Sequence, residues 1–395
     1  MSSRSINEAV VLAGGLGTRL SPLTKYRPKS LVPIGNYTML DWNFFMLAKN
    51  GIKRAVIVVN YLGDQIRDHI DNISSKLHPT IEIIVPEVNS NGTADALRVV
   101  SEEVKSDNFF VTMSDIITNI NLKEMGSFHI RKNGIATISL KPMLEYPKQF
   151  GVILVDEKCK ILRFLEKPSA EELFLTKMIV QSQSFNYQTN LVNSGIYCFK
   201  KQILNILEGA RELLDFGKNV FPYLLKRKLG IYGYKGEADY YWQDCGRPEQ
   251  VLGTNLEILK RGNLPFFPKG KEEDGSWFGA NHKCRDVLIK HPVAIGNNVE
   301  IESGSTAHLS SINDQCKIGR NCTICKSLIW ENVHIGDNVT IRDSIISDNV
   351  TIGDNCVIVD ETIIPPGYKI PPNTYIKKGR LISDLTSKEY AELIS

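Results

Sequence analysis

Nine residues near the start of the chain, Leu12-Ala-Gly-Gly-Leu-Gly-Thr-Arg-Leu20, have the makings of an anion-binding loop. Gly14, Gly15 and Gly17 follow an apolar run, so bare backbone N–H groups can approach phosphate oxygens closely. Arg19 adds a permanently charged donor fork. Pro22, Pro28 and Pro33 then prevent a helix and stiffen an extended segment that carries Lys29 back toward the same anion. The loop is not the dinucleotide fingerprint, because Gly15-Leu-Gly17 lacks a third glycine at the required place. Nor is it a Walker loop, since Gly-Lys-Ser/Thr is absent.

Such a loop needs a strand behind it, and Ala9–Ala13 reads as one. Met39–Asn50 reads as a helix with Leu40, Phe44 and Leu47 on one face and Gly51 as its stop. Strands follow at Ala55–Val59, Ile81–Val85 and Phe109–Met113, with helices at Gln65–Leu77 and Thr93–Val104 between them. This alternation predicts a mostly parallel sheet covered by helices. Ligands of such sheets bind beyond the carboxyl ends of the strands, where the glycine loop lies.

Around residue 263 the pattern changes to a stretch rich in Pro, Gly and charge, Asn263-Leu-Pro-Phe-Phe-Pro-Lys-Gly-Lys-Glu-Glu-Asp-Gly. It reads as a linker over 263–285, between a first domain of 1–262 and a second of 286–395. In the second, Ile295-Gly-Asn-Asn-Val-Glu-Ile, Ile318-Gly-Arg-Asn-Cys-Thr-Ile, Ile335-Gly-Asp-Asn-Val-Thr-Ile and Ile352-Gly-Asp-Asn-Cys-Val-Ile share one template, the last three spaced by seventeen residues. A fixed short period is the mark of a solenoid. β-Branched residues two apart, followed by a Gly-Asp-Asn turn, predict a parallel β-helix with an aliphatic column inside. The tail, Thr386–Ile394, reads as a short helical cap.

The repeat also explains the cysteines and histidines within it. Cys322-Thr-Ile-Cys325 has a zinc-like spacing, but Cys322 and Cys356 stand where other repeats have Val299 and Val339. Cys316 likewise matches Val333 and Val350, so these thiols read as small core residues. His308 and His334 have no companion residues that would make an acyl-transfer site.

Composition excludes some classes of function. With 395 residues, 47 Lys and Arg against 44 Asp and Glu, and a net charge of +3, nothing supports bulk nucleic-acid binding. No apolar stretch is long enough for a membrane span, and the first residues lack a signal core. Eight cysteines in that setting predict reduced thiols and a cytoplasmic protein.

Ala13-Gly-Gly-Leu-Gly-Thr-Arg-Leu-Ser-Pro-Leu-Thr, followed by Arg27-Pro-Lys-Ser-Leu-Val-Pro, closely resembles the signature of sugar-1-phosphate nucleotidyltransferases. The usual pattern reads Pro-Lys-Pro, and Ser30 replaces its second proline here. Further likenesses run through the first 250 residues: Gly92-Thr-Ala-Asp-Ala-Leu, Ser114-Asp115, Phe150-Gly-Val, Glu166-Lys-Pro, Asn193-Ser-Gly-Ile-Tyr and Trp242-Gln-Asp-Cys-Gly-Arg-Pro. The second domain is similar to the left-handed hexapeptide β-helix. The fold implied is α/β, a Rossmann-like mixed sheet with helices on both faces, followed by a left-handed parallel β-helix.

The resemblance implies roles. Arg19 and Lys29 are the catalytic cations. Leu12, Ala13, Gly14, Gly15, Gly17, Thr18, Glu87, Gly92 and Thr93 bind the nucleotide. Gly151, Glu166, Lys167, Asn193 and Gly195 bind the sugar phosphate. Asp115 and Asp244 hold Mg²⁺, which prefers few carboxylates together with phosphate oxygens. The partners implied are a nucleoside triphosphate and a sugar 1-phosphate, with no nucleic acid and no membrane, in a homo-oligomer assembled through the β-helix. Glu87, five residues before Gly92, points to guanine, whose edge offers two N–H donors to a carboxylate. Together with Ser114 and the β-helix it favours GTP and mannose 1-phosphate over the glucose 1-phosphate alternatives. The non-catalytic subunits of the translation-initiation exchange factor share the two-domain plan, yet this chain keeps Arg19, Lys29, Lys167 and both aspartates.

Overall fold

Glu8-Ala-Val-Val-Leu12 is buried along its whole length, as a strand covered on both faces must be. It is the centre of a nine-stranded sheet. The computed structural model describes residues 5–143, 150–172, 188–237, 240–261, 264 and 267–378. By internal contacts the chain forms two units. One comprises Met1–Gly15 and Asn43–Trp242, the other Leu16–Trp42 and the chain from Gln243 onward.

In the first unit, Glu8–Leu12 pairs in parallel with Arg54–Val58 on one side and Asn108–Met113 on the other. Glu82–Ile84 adds a further parallel strand beyond Arg54–Val58. These strands come from the predicted alternating half. The later half departs from the parallel expectation. The long strand Gln188–Lys200 runs antiparallel to Asn108–Met113, Ala136–Pro142 and Val152–Val155. Val152–Val155 and Ile161–Leu165 form an antiparallel hairpin. Its turn is closed by the Asp156 carboxylate, which accepts from the Lys158 and Lys160 N–H groups at 2.9 and 2.8 Å. A five-residue reversal of that kind leaves no room for a crossover helix, and the pairing becomes antiparallel. Alternate residues of the sheet, Val10, Leu12, Val56, Val58, Phe109 and Val111, share one hydrophobic cluster with Ala94, Leu97, Leu207 and Phe221 from the helices.

Two predicted helices are shorter than their periodicity. The helix from Thr93 stops at Val99, and a 3-10 turn over Ser101–Glu103 completes the expected span. The helix expected over Gln65–Leu77 runs as Gly63–His69, a π-turn at Ile70–Ser74, and Ser75–Leu77. Among the described residues no helix is long and apolar enough to cross a membrane.

In the second unit, three parallel stacks of short strands make a three-sided β-helix. Ala294 pairs with Ser311, Ile301 with Ile318, and Ala307 with Ile324, each seventeen residues on. One column of Val, Ile and Cys fills the interior, including Val299, Cys316, Cys322, Val339, Val350 and Cys356. The repeated Asn of the template sits at corners with positive φ, as at Asn298, Asn321, Asn332, Asn338, Asn349 and Asn355. Asparagine tolerates that conformation best among residues with a side chain. Its amide then bonds to the next coil: Asn332 to Asn349 at 2.7 Å, and Asn338 to Asn355 at 3.1 Å. All eight cysteines are unpaired with one another, and the predicted helix at Thr386–Ile394 lies outside the described residues.

Candidate active site

After Leu12 the chain leaves the sheet, with the Ala13 N–H still bonded to the Val58 carbonyl at 2.8 Å. Gly14 lies against the Asn60 side chain, and Gly15 is exposed. In the second unit, Gly17 has φ of 66°, and a Cβ there would lie 2.9 Å from Thr24 and 3.1 Å from Lys29. Only glycine permits that fit, which lets the Thr24 hydroxyl donate to the Gly17 carbonyl at 2.8 Å. The turn Thr18–Leu20 follows, with Leu20 buried as its anchor while Thr18 and Arg19 remain exposed. Lys29 opens a second short turn, Lys29–Leu31, directly after Pro28.

Arg19 and Lys29 face the same carboxylate. The Arg19 guanidinium lies 3.8 Å from Asp244 Oδ2, and Lys29 Nζ lies 3.9 Å from Asp244 Oδ1. Both separations are long for direct ion pairs. Gly246 makes room for them, since a Cβ there would come within 2.8 Å of both the Arg19 guanidinium and Asp244 Oδ1. Gly246 stands in the Trp242-Gln-Asp-Cys-Gly-Arg-Pro motif, which marks the segment without giving this glycine a role of its own.

In the first unit, Asp115 is half-buried at the turn after Asn108–Met113. The Ser114 N–H bonds to the Leu12 carbonyl at 3.0 Å, which places this turn beside the end of the central strand. Asn43, fully buried, donates to the Ser114 carbonyl at 3.0 Å and to the Ile116 carbonyl at 3.2 Å. Asn43 was not singled out from sequence, because a polar residue inside an amphipathic helix carries no mark of what it will meet.

The predicted sugar-phosphate residues gather in the same unit. The Asn193 N–H donates to the Gly151 carbonyl at 2.9 Å, and its side chain accepts from the Gly195 N–H at 3.0 Å. Gly151 and Gly217 both lie against the Glu166 carboxylate. Lys167 Nζ is 3.9 Å from Glu166, and Lys167 has φ of 47° directly before Pro168. That conformation costs a residue with a side chain, and such strain concentrates at functional positions. Burial raises the Glu166 carboxyl above its ordinary value, opposed by Lys167, reinforced by Asp215 and opposed by Lys218. Phe150 packs edge-on against Trp242 at 5.2 Å, and the Trp242 indole donates to the Ser194 carbonyl at 2.8 Å.

The nucleotide residues divide. Gly92 and Thr93 open the helix Thr93–Val99, and the N–H groups of Ala94 and Asp95 bond to the Leu214 carbonyl. The Thr93 hydroxyl is taken up by the fold, donating to Asp215 at 3.1 Å and accepting from the Phe216 N–H at 3.0 Å. Glu87 is exposed, among partly buried neighbours. Arg67 pins the chain just before it, donating to the carbonyls of Val85 and Pro86. Ser169 and Glu172 cap one another reciprocally, and residues 173–187 that follow lie outside the described ones.

Among the described residues no group of three or more His, Cys, Asp or Glu side chains could hold a metal alone. Asp115 in the first unit and Asp244 in the second each offer a single carboxylate, the kind of donor Mg²⁺ takes together with phosphate oxygens and water.

Comparison with known proteins adds a family. Residues 8–261 match the nucleotidyl transferase family, and residues 280–376 match the left-handed β-helix domain of EIF2B subunit epsilon. A putative mannose-1-phosphate guanyltransferase of Sulfolobus acidocaldarius is 28% identical over 77% of this chain and 75% of its own length. The mannose-1-phosphate guanyltransferase of Yarrowia lipolytica is 32% identical over 64% of each chain. The glucose-1-phosphate adenylyltransferase of Trichlorobacter lovleyi is 31% identical over 78% of this chain and 81% of its own.

Proposed function

The chain belongs to the nucleotidyl transferase family, and on that premise we propose that it joins GTP to mannose 1-phosphate, releasing pyrophosphate and forming GDP-mannose. The coarser activity, nucleotidyl transfer to a sugar 1-phosphate, is supported by the family match and by relatives with guanylyl, uridylyl and adenylyl specificity. The observation that carries the reading is the pair of cations, Arg19 and Lys29, held within 4 Å of one carboxylate at the Gly17 turn.

In the reaction a phosphate oxygen of the sugar phosphate attacks the α-phosphorus. The bond from that phosphorus to its bridging oxygen breaks, and pyrophosphate departs from the opposite side. Two anions meet, so cations must neutralise both. Arg19 takes the charge of the departing pyrophosphate, Lys29 that of the α-phosphate, and Lys167 holds the attacking phosphate. The nucleophile is already an anion, so positioning replaces a general base. Mg²⁺, when bound at Asp115 and Asp244, supplies further neutralisation of the phosphates. Asn193, Gly195, Gly151 and Glu166 contact the sugar, and the strained backbone of Lys167 supports their role.

Glu87 supports guanine through a carboxylate that accepts two N–H donors, and the guanyltransferase relatives support the same choice. The deciding experiment supplies Mg²⁺ with each of GTP, ATP, UTP and dTTP against mannose and glucose 1-phosphates and measures pyrophosphate. GTP with mannose 1-phosphate should turn over fastest. Preference for glucose 1-phosphate with another base would overturn the assignment. The match of the second domain to EIF2B subunit epsilon favours a second reading, as a non-catalytic subunit of such an assembly. Silence of the whole panel would select it. The same proposal places the protein in the cytoplasm, where its cysteines, none in a disulfide, would stay reduced. It also makes it a homo-oligomer through the β-helix, and sedimentation as a monomer at micromolar concentration would refute that assembly.

A further inference from the structure

We propose that the β-helix is part of the phosphate-binding apparatus, because its Asp348 and Trp330 hold Arg27 and through it set the position of Lys29. The inference rests on the reading of Lys29 as a phosphate ligand.

Arg27 makes three contacts with one guanidinium. It lies 2.8 Å from Asp348 Oδ2, its central carbon sits 5.3 Å from the centroid of the Trp330 ring, and it donates to the Leu31 carbonyl at 3.1 Å. The last bond closes the turn Lys29–Leu31 from outside. A planar fork can serve all three partners together, and an ammonium group cannot. Only Pro28 separates Arg27 from Lys29, and its ring fixes the backbone between them. The pair is shielded, with 21% of the Arg27 side chain and 14% of the Asp348 side chain exposed, while Trp330 is fully buried.

Asp348 differs from Asp337 and Asp354 and behaves like Asp314, whose carboxylate also accepts an N–H, from Asn297 at 2.7 Å, and also meets a cation, Lys269 at 3.2 Å. The Asp337 and Asp354 carboxylates accept N–H groups of the preceding coil, from Arg320 at 2.7 Å and Asp337 at 2.8 Å. Asp348 Oδ1 does the same for Glu331 at 3.2 Å, and its other oxygen meets Arg27. The far end of the segment is tied to the same region. The Gly35 N–H donates to Asn255 Oδ1 at 3.0 Å, the Ser311 hydroxyl donates to that oxygen at 2.7 Å, and Asn36 donates to the Ile312 carbonyl at 3.4 Å. Segment Leu16–Trp42 is therefore held at Arg27 by the β-helix and at Gly35 and Asn36 by the β-helix and the helix Pro248–Leu259. Arg27 is a positioning residue in this scheme, since small misplacements of a charge on a transferring phosphate cost rate steeply.

The test uses the full chain and inorganic triphosphate with Mg²⁺, measured by calorimetry, alongside hydrogen exchange of the peptides covering 16–42. Asp348→Asn should weaken triphosphate binding about tenfold and speed exchange around Lys29. Asp348→Glu should recover part of the loss. Asp337→Asn removes an equivalent coil-to-coil bond without touching Arg27, and should leave binding unchanged. Wild-type affinity in Asp348→Asn, or equal weakening by Asp337→Asn, would overturn the proposal. Neither readout needs turnover. A protein that binds triphosphate and loses it with Asp348→Asn, yet turns over no substrate pair, would sink the enzymatic reading and keep this one. A wild-type chain that does not bind triphosphate would overturn this proposal, and turnover in the substrate panel would still decide the enzymatic reading.

Discussion

The side-chain amide of Asn43 donates to the Ser114 carbonyl at 3.0 Å, and the same nitrogen reaches the Ile116 carbonyl at 3.2 Å. Asp115 thus stands on a turn gripped from both sides by one buried group. Replacing Asn43 with Ala leaves two carbonyls without that donor, at a cost of about 1–3 kcal/mol. Thermal unfolding should report that loss, and kcat should fall more than KM for the sugar phosphate rises.

Asp115→Asn keeps the shape of the turn and removes its charge. Activity should drop by roughly a hundredfold or more, with a rise in the Mg²⁺ concentration needed for half-maximal rate. Unchanged turnover and metal dependence would show that Asp115 is not a metal ligand.

Gly246→Ala would place a methyl group against both the Arg19 guanidinium and Asp244 Oδ1. Displacing Arg19 should raise KM for the triphosphate while leaving KM for the sugar phosphate near its original value. Initial rates with each substrate varied in turn distinguish the two.

His129 makes stability depend on acid. Burial, helped by the nearby Lys200 charge, lowers it from 6.5 to about 4, while its Nδ1 bonds to the Thr137 hydroxyl at 2.8 Å. The unfolded chain takes up the proton first, so this contribution is present above pH 6.5 and is lost as pH falls toward 4. The loss is on the order of 3 kcal/mol, and His129→Gln should flatten the pH dependence of urea midpoints across that window.

Ser30 is buried, and its hydroxyl has no hydrogen-bond partner among the described residues. Ser30→Ala should be neutral or stabilising, by up to about 1 kcal/mol, because it removes an unsatisfied polar group. A marked loss of stability would reveal a partner for that hydroxyl.

The glycine loop, the two cations and the repeat were legible because each obeys a local rule. Gly17 needs a positive φ, Arg19 and Lys29 flank proline-stiffened turns, and the Asn columns recur at a fixed period. The parallel strands through Asn108–Met113 were legible for the same reason. Long-range pairings were not. Nothing near Gln188 announces that it begins a strand that runs to Lys200 and pairs antiparallel with three neighbours. Asn43 and Asp348 escaped notice because their partners lie far away in sequence. The bonds of the Thr93 hydroxyl to Asp215 and Phe216 span more than 120 positions, and no local pattern encodes them.

The seventeen-residue period makes the solenoid a ruler graduated in whole coils. Each coil advances the stack by the strand spacing of about 4.8 Å. A coil duplicated after Ile370 would lengthen the rod and leave Asp348 opposite Arg27. A coil lost between Ser311 and Asp348 would instead bring a different residue to Arg27 while Asn255 kept its hold on Ser311. The length of this rod is therefore free to drift on one side of the Asp348 coil and counted on the other.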